Sequence, residues 1–269
     1  MSFHLAAVRH DGRVHSEEPI YRHDLANIHH LGYGFHADSC APGILALLEP
    51  IRQRGGLVLE IGCGSGLLTK YLVQAGHRVI ATDASPAMLQ LARDAVPGAE
   101  AIRTLVLPDE PVPAADAIVG IGHALNYLPD LAAVQRGLGA LADAVRPGGL
   151  LAVDLCDRQW GAIRRGDAPY VRLEDDWAII TTYHRPSPDR YDRQITTFVR
   201  TPDGGFRRDQ EYHGNVLVDT SAVPALLREH GMATEIGTSF NDADRPLPTG
   251  LMSVIGYKIG QPKYPHVTS

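Results

Sequence analysis

Short apolar runs alternate with amphipathic segments through the middle of the chain. The run at 57–61 is followed by glycines, which is typical of a strand buried on both faces of a sheet. Between such runs, apolar residues recur every three or four positions, as in helices that pack one face on a sheet. The pattern predicts strands at 57–61, 78–82, 101–105, 117–121 and 150–155, helices at 68–75, 85–95 and 131–145, and a turn at 146–149. This alternation predicts an α/β fold with a doubly wound, mostly parallel sheet.

The pattern changes after residue 156. Three β-rich runs lie at 177–183, 194–200 and 206–218, and the turn sequences Pro186-Ser187-Pro188-Asp189 and Pro202-Asp203-Gly204-Gly205 separate them. Turn residues between such runs predict antiparallel hairpins. The α/β pattern then returns in one helix and two strands, at 223–230, 234–237 and 253–258. We therefore interpret 156–219 as an antiparallel β insertion after strand five, within a single domain of residues 1–269.

The N-terminal part precedes the sheet and is predicted to be helical. Apolar stripes predict helices at 24–30 and 42–54, the second ended by Gly55-Gly56, so that 20–56 forms a helical cap. The first 20 residues are polar and aperiodic, and we expect them to be loose.

Composition and charge exclude several classes of protein. The chain has 269 residues, of which 44% are hydrophobic and 21% charged, an ordinary balance for a globular protein. The net charge is −6 and no stripe of Lys and Arg stands out, so we expect no nucleic-acid partner. No apolar run reaches the roughly 18 residues of a membrane helix. Since the N-terminus also lacks the pattern of a secretory signal, we expect a cytoplasmic protein with no membrane partner.

Metal chemistry is not indicated either. Cys40, Cys63 and Cys156 have no CxxC spacing, and the pair His29-His30 has no third ligand nearby in the sequence. We therefore predict no metal site.

The most informative motif is Glu60-Ile61-Gly62-Cys63-Gly64-Ser65-Gly66, at the predicted turn from the first strand into the next helix. Glycines at such a turn let the backbone pass close to a ligand and present the N–H groups of a helix N-terminus. Asp83 follows at the end of the second strand, where a carboxylate can accept hydrogen bonds from both hydroxyls of a ribose. The combination predicts a ligand that contains a nucleoside.

The spacing of the glycines bears on which nucleoside it is. A dinucleotide fingerprint requires G-x-G-x-x-G, whereas here Gly66 comes early and Leu67 occupies the expected position of the third glycine. An NAD(P)-dependent oxidoreductase is therefore an alternative that the motif does not favour. A glycine-rich turn that binds nothing is the other alternative.

The sequence resembles the class I S-adenosylmethionine (SAM) dependent methyltransferases. Residues 57–66 match the first motif of that family and 81–89 match its second. Residues 120–128 resemble the strand-four segment, and 141–151 resemble the helix and turn before strand five. The resemblance covers about residues 20–260 and implies a Rossmann-like methyltransferase fold, SAM as cofactor and S-adenosylhomocysteine as product. The insertion resembles that of small-molecule methyltransferases, including enzymes that act on amino-sugars of natural products.

The resemblance implies where the methionine part of SAM would lie. Gly62, Cys63 and Gly64 would approach it, and Glu60 would hold its amino group directly or through water. The carbonyl group of Gly120 would help to hold the same part of the cofactor.

The resemblance also implies a site for the adenosine part. Asp83 would bind the ribose. Ala84 and Met88 would lie against one face of the adenine, and Leu105 and Val106 would flank the other.

Two further expectations follow from the resemblance. Tyr21 and Tyr33 belong to the N-terminal segment that in this family often closes over SAM. Many members place an Asp directly after strand three for the adenine amine, but here Val106-Leu107-Pro108 precedes Asp109. We therefore do not assign Asp109 to the cofactor.

The methyl acceptor is predicted to be a small molecule methylated on N or O. His123, directly after strand four, is the candidate catalytic residue, because an imidazole with an ordinary pKa near 6.5 can accept a proton at neutral pH. Asn126 and Tyr127 are expected to complete the polar side of the acceptor pocket. His29-His30 and His213 are weaker candidates for contact with the acceptor. The insertion is expected to serve as a lid or acceptor wall.

Other functions stay open at this point. A protein with this fold could bind SAM without transferring its methyl group, as a binding protein or a cofactor-assisted cyclase. The sequence also leaves open whether the chain forms a homodimer.

Overall fold

The computed structural model describes residues 20–163, 168–241 and 246–259. The segment 1–19, which the sequence predicts to be loose, lies outside the described residues. The helices are α1 His23–Gly32, α2 Phe35–Gln53, α3 Leu67–Gln74, α4 Pro86–Ala95, α5 Leu131–Ala144, α6 Arg158–Ile163 and α7 Val223–Glu229. The strands are β1 Leu57–Ile61, β2 Arg78–Asp83, β3 Ala101–Thr104, β4 Ala115–Gly120, β5 Val145–Cys156, β6 Tyr170–Leu173, β7 Trp177–Ser187, β8 Arg190–Arg200, β9 Phe206–Val216, β10 Met232–Gly237 and β11 Leu251–Lys258.

Seven strands form the main sheet in the order β10-β11-β5-β4-β1-β2-β3. β1 lies between β4 and β2 and pairs in parallel with both, while β11 runs antiparallel to β5 and β10. Apolar side chains are buried on both faces, in two clusters packed under the helices. The predicted doubly wound, mostly parallel sheet is confirmed.

The chain order reverses between β1 and β4, and this creates the opening in which ligands of open α/β sheets bind. β1, β2 and β4 all point their carboxyl ends to this edge of the sheet. The predicted glycine loop, Asp83 and His123 follow these three strands. The topology therefore brings them to one edge.

The insertion is a second sheet of four antiparallel strands, β6-β7-β8-β9. The two predicted hairpins are confirmed, with turns at 188–189 and 201–205. The sequence did not predict α6 or β6. They contain six and four residues, too few for a periodic pattern to stand out.

Two predicted boundaries were wrong. α2 begins at Phe35 rather than at Pro42, and Pro42 lies inside it. An interior proline removes an N–H donor and clashes with the carbonyl group four residues before it, so the buried apolar face of α2 must outweigh this cost. The predicted turn at 146–149 is instead the start of β5, where the pairing with β4 shifts register between Ala115 and Ala117.

Local capping sets where the helices next to the site begin. The Ser85 hydroxyl accepts a hydrogen bond from the Met88 N–H at 3.3 Å, and Pro86 occupies the first turn of α4. Asp130 caps α5 in the same way, through the Ala133 N–H at 2.7 Å. Within the described ranges, no helix has the length and apolar character needed to cross a membrane.

Candidate active site

The glycine loop follows β1 and adopts backbone conformations that favour glycine. Gly62 and Gly64 have φ angles of +59° and +55°. A Cβ at Gly62 would lie 2.4 Å from the Ala124 Cβ, so this glycine allows the loop to pack against the segment after β4. At Gly64 the nearest atom to a Cβ would be the Met88 Sδ, 3.9 Å away. The protein itself therefore leaves the space beside Gly64 open.

Asp83, the last residue of β2, holds the glycine loop by a hydrogen bond. Its Oδ2 accepts the Gly64 N–H at 2.8 Å, and its Oδ1 accepts the Ser85 N–H, also at 2.8 Å. Burial raises the pKa of Asp83 above its usual value, although backbone hydrogen bonds act in the opposite direction. A carboxylate has about four lone-pair positions, so the two hydrogen bonds do not exhaust its capacity to accept. This arrangement fits a carboxylate that holds the loop and receives two ribose hydroxyls.

Glu60 is a buried carboxyl group without a complete set of partners. Its side chain is 2% exposed, and its Oε2 is buried without a hydrogen bond. Burial raises the pKa of Glu60 to about 8. A cationic group beside Glu60 would satisfy the orphaned oxygen and favour the ionised form. The amino group of a methionine moiety has this chemistry, so the residues present fit SAM.

The predicted adenine residues lie around the same opening with different degrees of exposure. Ala84 is exposed, whereas Met88 is buried and faces Gly64. Leu105 is buried, and its N–H donates to the Asp83 carbonyl group at 3.2 Å. Val106 is 40% exposed, an accessible apolar surface next to Asp83.

Cys63 and Gly120 have evident packing roles. The Cys63 N–H donates to the Thr82 carbonyl group at 2.9 Å, which ties the loop to β2. A Cβ at Gly120 would lie 2.6 Å from the Ile61 Cγ1, so only glycine allows β4 to approach β1 this closely. Both residues place backbone at the carboxyl edge of the sheet.

The segment after β4 is held by Asp154, a residue that the sequence did not single out. Its carboxylate accepts the Gly122 N–H at 3.0 Å and the His123 N–H at 2.6 Å. His36 of α2 binds the same carboxylate through Nε2 at 2.9 Å. Asp154 thus fixes His123 in a left-handed conformation with φ +52°, a strained geometry for a non-glycine residue. An Asp inside the apolar strand β5 was the available signal.

The pairing of His36 with Asp154 predicts a pH-dependent stability. Burial lowers the pKa of His36, but hydrogen bonds to Asp154 and Cys40 and the charge of Asp154 outweigh burial and raise it to about 10. The stabilisation is therefore complete below the unfolded-state pKa near 6.5 and is lost as the pH rises through 10. We expect the free energy of unfolding to fall over this interval by on the order of a few kcal/mol more in the wild type than in His36→Gln. Urea unfolding at pH 6–10 measures this, and parallel curves for the two proteins would refute the ion pair.

His123 lies in an aromatic and basic cluster with Tyr21, Tyr127, His213 and Arg193, which we call the aromatic cluster. The His123 ring stacks on Tyr127 with centroids 5.5 Å apart and planes 15° from parallel. The Tyr127 hydroxyl lies 2.9 Å from that of Tyr21 and also accepts a hydrogen bond from Arg193. His213 packs edge-on against Tyr21 at 4.8 Å.

Tyr21 connects the insertion sheet to the main sheet. Its N–H donates to Glu211 Oε2 at 2.7 Å, and its carbonyl group accepts the Ser85 hydroxyl at 2.9 Å. Its φ of +54° is a second strained geometry in this cluster. Tyr33 lies farther along the N-terminal segment, stacked on His29 with centroids 5.5 Å apart. Tyr21 is therefore the tyrosine that the structure joins directly to Tyr127.

The cluster keeps its histidines neutral. Burial and then the charge of Arg193 lower the pKa of His123 to about 3 and that of His29 to about 4. Burial also lowers the pKa of His213, although its hydrogen bond to Glu211 opposes this. The sequence-based expectation of an ordinary pKa at His123 was wrong, because the sequence does not reveal the burial or the neighbouring guanidinium. A histidine with this pKa is a hydrogen-bonding group and a poor proton acceptor at neutral pH.

Asn126 and Trp177 both have packing roles. The Asn126 amide joins β5 and β9, because it accepts the Cys156 N–H at 2.9 Å and donates to the carbonyl groups of Cys156 and Val216. It is fully buried, so the expectation that it lines the acceptor pocket was wrong. Trp177 packs in a separate core with Leu25 and Ile28 of α1.

Comparison with known proteins gives the family. Residues 59–153, from β1 to β5, match the family model described as a methyltransferase domain. The chain therefore contains a methyltransferase domain of the class I SAM-dependent type. Rat (Rattus norvegicus) glycine N-methyltransferase is 36% identical over 127 residues, which cover 40% of this chain and 43% of the rat enzyme. The chain therefore matches less than half of that relative.

Solved structures extend the likeness of this methyltransferase to the insertion. A SAM-dependent methyltransferase from Clostridium acetobutylicum has a TM-score of 0.71 at 17% identity, over 88% of this chain and 98% of the other. A sugar N-methyltransferase from Streptoalloteichus sp. has a TM-score of 0.71 at 20% identity, over 95% of this chain and 99% of the other. At these identities the likeness establishes the fold, including the Rossmann-like sheet with an insertion after strand five. The family assignment leaves the NAD(P) alternative without support.

Proposed function

We propose that this methyltransferase transfers a methyl group from SAM to a nitrogen of a small molecule, with the insertion sheet as the acceptor wall. The observation that carries the proposal is the aromatic cluster of neutral histidines and a cationic Arg193 beside the loop after β4. The cofactor residues would hold the donor from the opposite side of that loop.

On the donor side, the chain supplies binding and alignment. SAM provides an electrophilic methyl group on a sulfonium, so alignment and exclusion of water account for much of the catalysis. Asp83 would hold the ribose, Glu60 the amino group, and the Gly62–Gly64 backbone the part between them. Because Asp154 fixes the Gly122-His123 backbone, the same loop would position the acceptor relative to the donor.

On the acceptor side, the electrostatics favour an amine. The positive charge of Arg193 lowers the pKa of neighbouring bases, and it would act in the same direction on an amine bound there. A neutral amine is already a nucleophile and needs no general base, whereas a hydroxyl usually does. With its pKa lowered to about 3, His123 is poorly suited to deprotonate a hydroxyl.

Methyl-labelled SAM offered with paired acceptors tests the proposal. The pairs are small amines and the matching alcohols, such as glucosamine with glucose and glycine with glycolate. We expect label in the amine products only. Label in the alcohol products would show O-methylation instead of N-methylation. Binding of SAM without methyl transfer to any acceptor of a broad panel would favour the non-catalytic alternative.

His123→Ala should affect acceptor binding more than the chemical step. Loss of one hydrogen bond and a stacked ring predicts a rise of roughly 10-fold in acceptor KM, with kcat changed less. Between pH 6 and 9, the kcat profiles of wild type and variant should be parallel. His184→Ala on the exposed side of β7 serves as the control. If the pH profile of kcat in the wild type shows an ionisation that is absent in His123→Ala, then His123 acts as a general base instead.

A further inference from the structure

Arg193 of β8 contributes a buried guanidinium to the aromatic cluster. It donates to the Tyr127 hydroxyl, and its guanidinium carbon lies 5.6 Å from the centre of the Tyr127 ring. Its Nε atom is buried and has no hydrogen-bond partner. On the neighbouring strand β9, the residue directly opposite is His213, which is also buried.

Two other arginines of β8 are paired with carboxylates. Arg190 and Arg200 of β8 bind Asp192 and Asp176, each at 3.0 Å. Within the described ranges, no acidic oxygen lies within ion-pair distance of Arg193. Glu211 belongs to the same cluster, but its carboxylate already accepts hydrogen bonds from the Tyr21 and Arg22 N–H groups and pairs with His213.

Burial of a guanidinium with unpaired N–H donors costs free energy unless a ligand accepts hydrogen bonds from those donors. Guanidinium has five N–H donors in a planar fork, and Arg193 uses one of its terminal nitrogens in the hydrogen bond to Tyr127. The fork fits carboxylate and phosphate oxygens, and such pairs are strongest where water is excluded. The fold keeps Arg193 in this position although desolvation of its charge is unfavourable.

We propose that Arg193 binds an anionic group, a carboxylate or a phosphate, of the methyl acceptor. The proposal rests on the proposed function, because it assigns the substrate class of the same site. The contacts of Arg193 with Tyr127 after β4 and with the neighbouring strand β9 lie on the side where we propose that the acceptor binds. The acceptor is then a small molecule with an amine at one end and an anion at the other.

Paired acceptors that differ only in the anion test this inference. The pairs are glycine with glycinamide and glucosamine 6-phosphate with glucosamine, offered with methyl-labelled SAM. Wild type should prefer the anionic member of at least one pair. Because glycinamide has the less basic amine, amine basicity alone would favour glycinamide.

The Arg193→Gln variant should lose this preference. We expect its kcat/KM for the anionic member to fall about 100-fold, and that for the neutral member, which loses only the effect of the charge on the amine, to fall no more than about 10-fold. Arg193→Lys should recover part of the loss, because it restores the charge without the fork. Arg200→Gln, on the same strand, should behave as wild type. Circular dichroism and thermal unfolding establish that the variants fold.

A binding experiment separates failure of this inference from failure of the proposed function. Imidazole signals of the protein saturated with S-adenosylhomocysteine are followed by NMR during titration with acetate and with inorganic phosphate. Saturable shifts of the His213 and His123 signals in wild type, absent in Arg193→Gln, support the anion site even if no acceptor is methylated. No shift with either anion in wild type would overturn it.

Two further outcomes would also overturn the inference. One is equal use of neutral and anionic acceptors by wild type. The other is a loss of SAM affinity in Arg193→Gln with acceptor KM unchanged, because the guanidinium would then bind the carboxylate of the cofactor.

Discussion

Gly64→Val is expected to reduce the affinity for SAM roughly 100-fold, because the new side chain would occupy the space that the cofactor needs. The protein itself leaves that space open: the nearest atom to a Cβ at Gly64 is 3.9 Å away. The variant therefore meets no clash within the protein, and its structural cost comes from the φ of +55°. Isothermal titration calorimetry with S-adenosylhomocysteine measures the loss.

Gly76→Val is the matched control for this variant. Gly76 has a φ of +84°, and nothing lies within 4 Å of a Cβ there, but it ends α3 at the opposite edge of the sheet. Both variants should lose comparable stability, whereas Gly76→Val should keep wild-type affinity. Equal affinities in the two folded variants would show that the loop does not hold the cofactor.

Asp83→Ala is expected to weaken SAM binding by about 2–3 kcal/mol, or about 30- to 150-fold. The variant would remove the carboxylate that we propose as the acceptor for two ribose hydroxyls. It also releases the Gly64 and Ser85 N–H groups, whose hydrogen bonds to Asp83 are both 2.8 Å. The glycine loop then loses the hydrogen bonds that fix its position, and the site loses the negative charge of Asp83. Calorimetry on the folded variant measures the change.

Asp116→Ala controls for the loss of a structural carboxylate. Asp116 lies at the other edge of the sheet, where it accepts the Leu57 N–H at 2.9 Å and pairs with Arg146 at 2.8 Å. We expect lower stability and unchanged affinity for S-adenosylhomocysteine. Unchanged affinity in Asp83→Ala would contradict the assignment of the ribose site.

The strands and the cofactor edge could be predicted because their signals are local. β1, the glycine loop and Asp83 occur in contiguous segments whose apolar runs and glycines specify both conformation and position. The order of these segments also predicts that they meet at one edge, since the strands are parallel. The boundaries that were wrong, at Pro42 and at 146–149, are places where packing overrides a local signal.

The acceptor side could not be predicted in the same way, because its contacts join distant parts of the chain. His36 and Asp154 are 118 residues apart, and Tyr127 and Arg193 are 66 apart. Arginines are also frequent in this chain, so nothing in the sequence distinguishes Arg193 from those that form surface ion pairs. Likewise, the lowered pKa of His123 depends on burial and on Arg193, and both arise from the folded insertion.

Calorimetric titration of the wild-type protein with S-adenosylhomocysteine and, separately, with NADH tests the central claim most directly. The Gly62–Gly64 loop, Asp83 and the orphaned Glu60 oxygen predict binding of one S-adenosylhomocysteine per chain in the micromolar range, with no heat of binding from NADH. Binding of NADH, with none of S-adenosylhomocysteine, would contradict the assignment of this site.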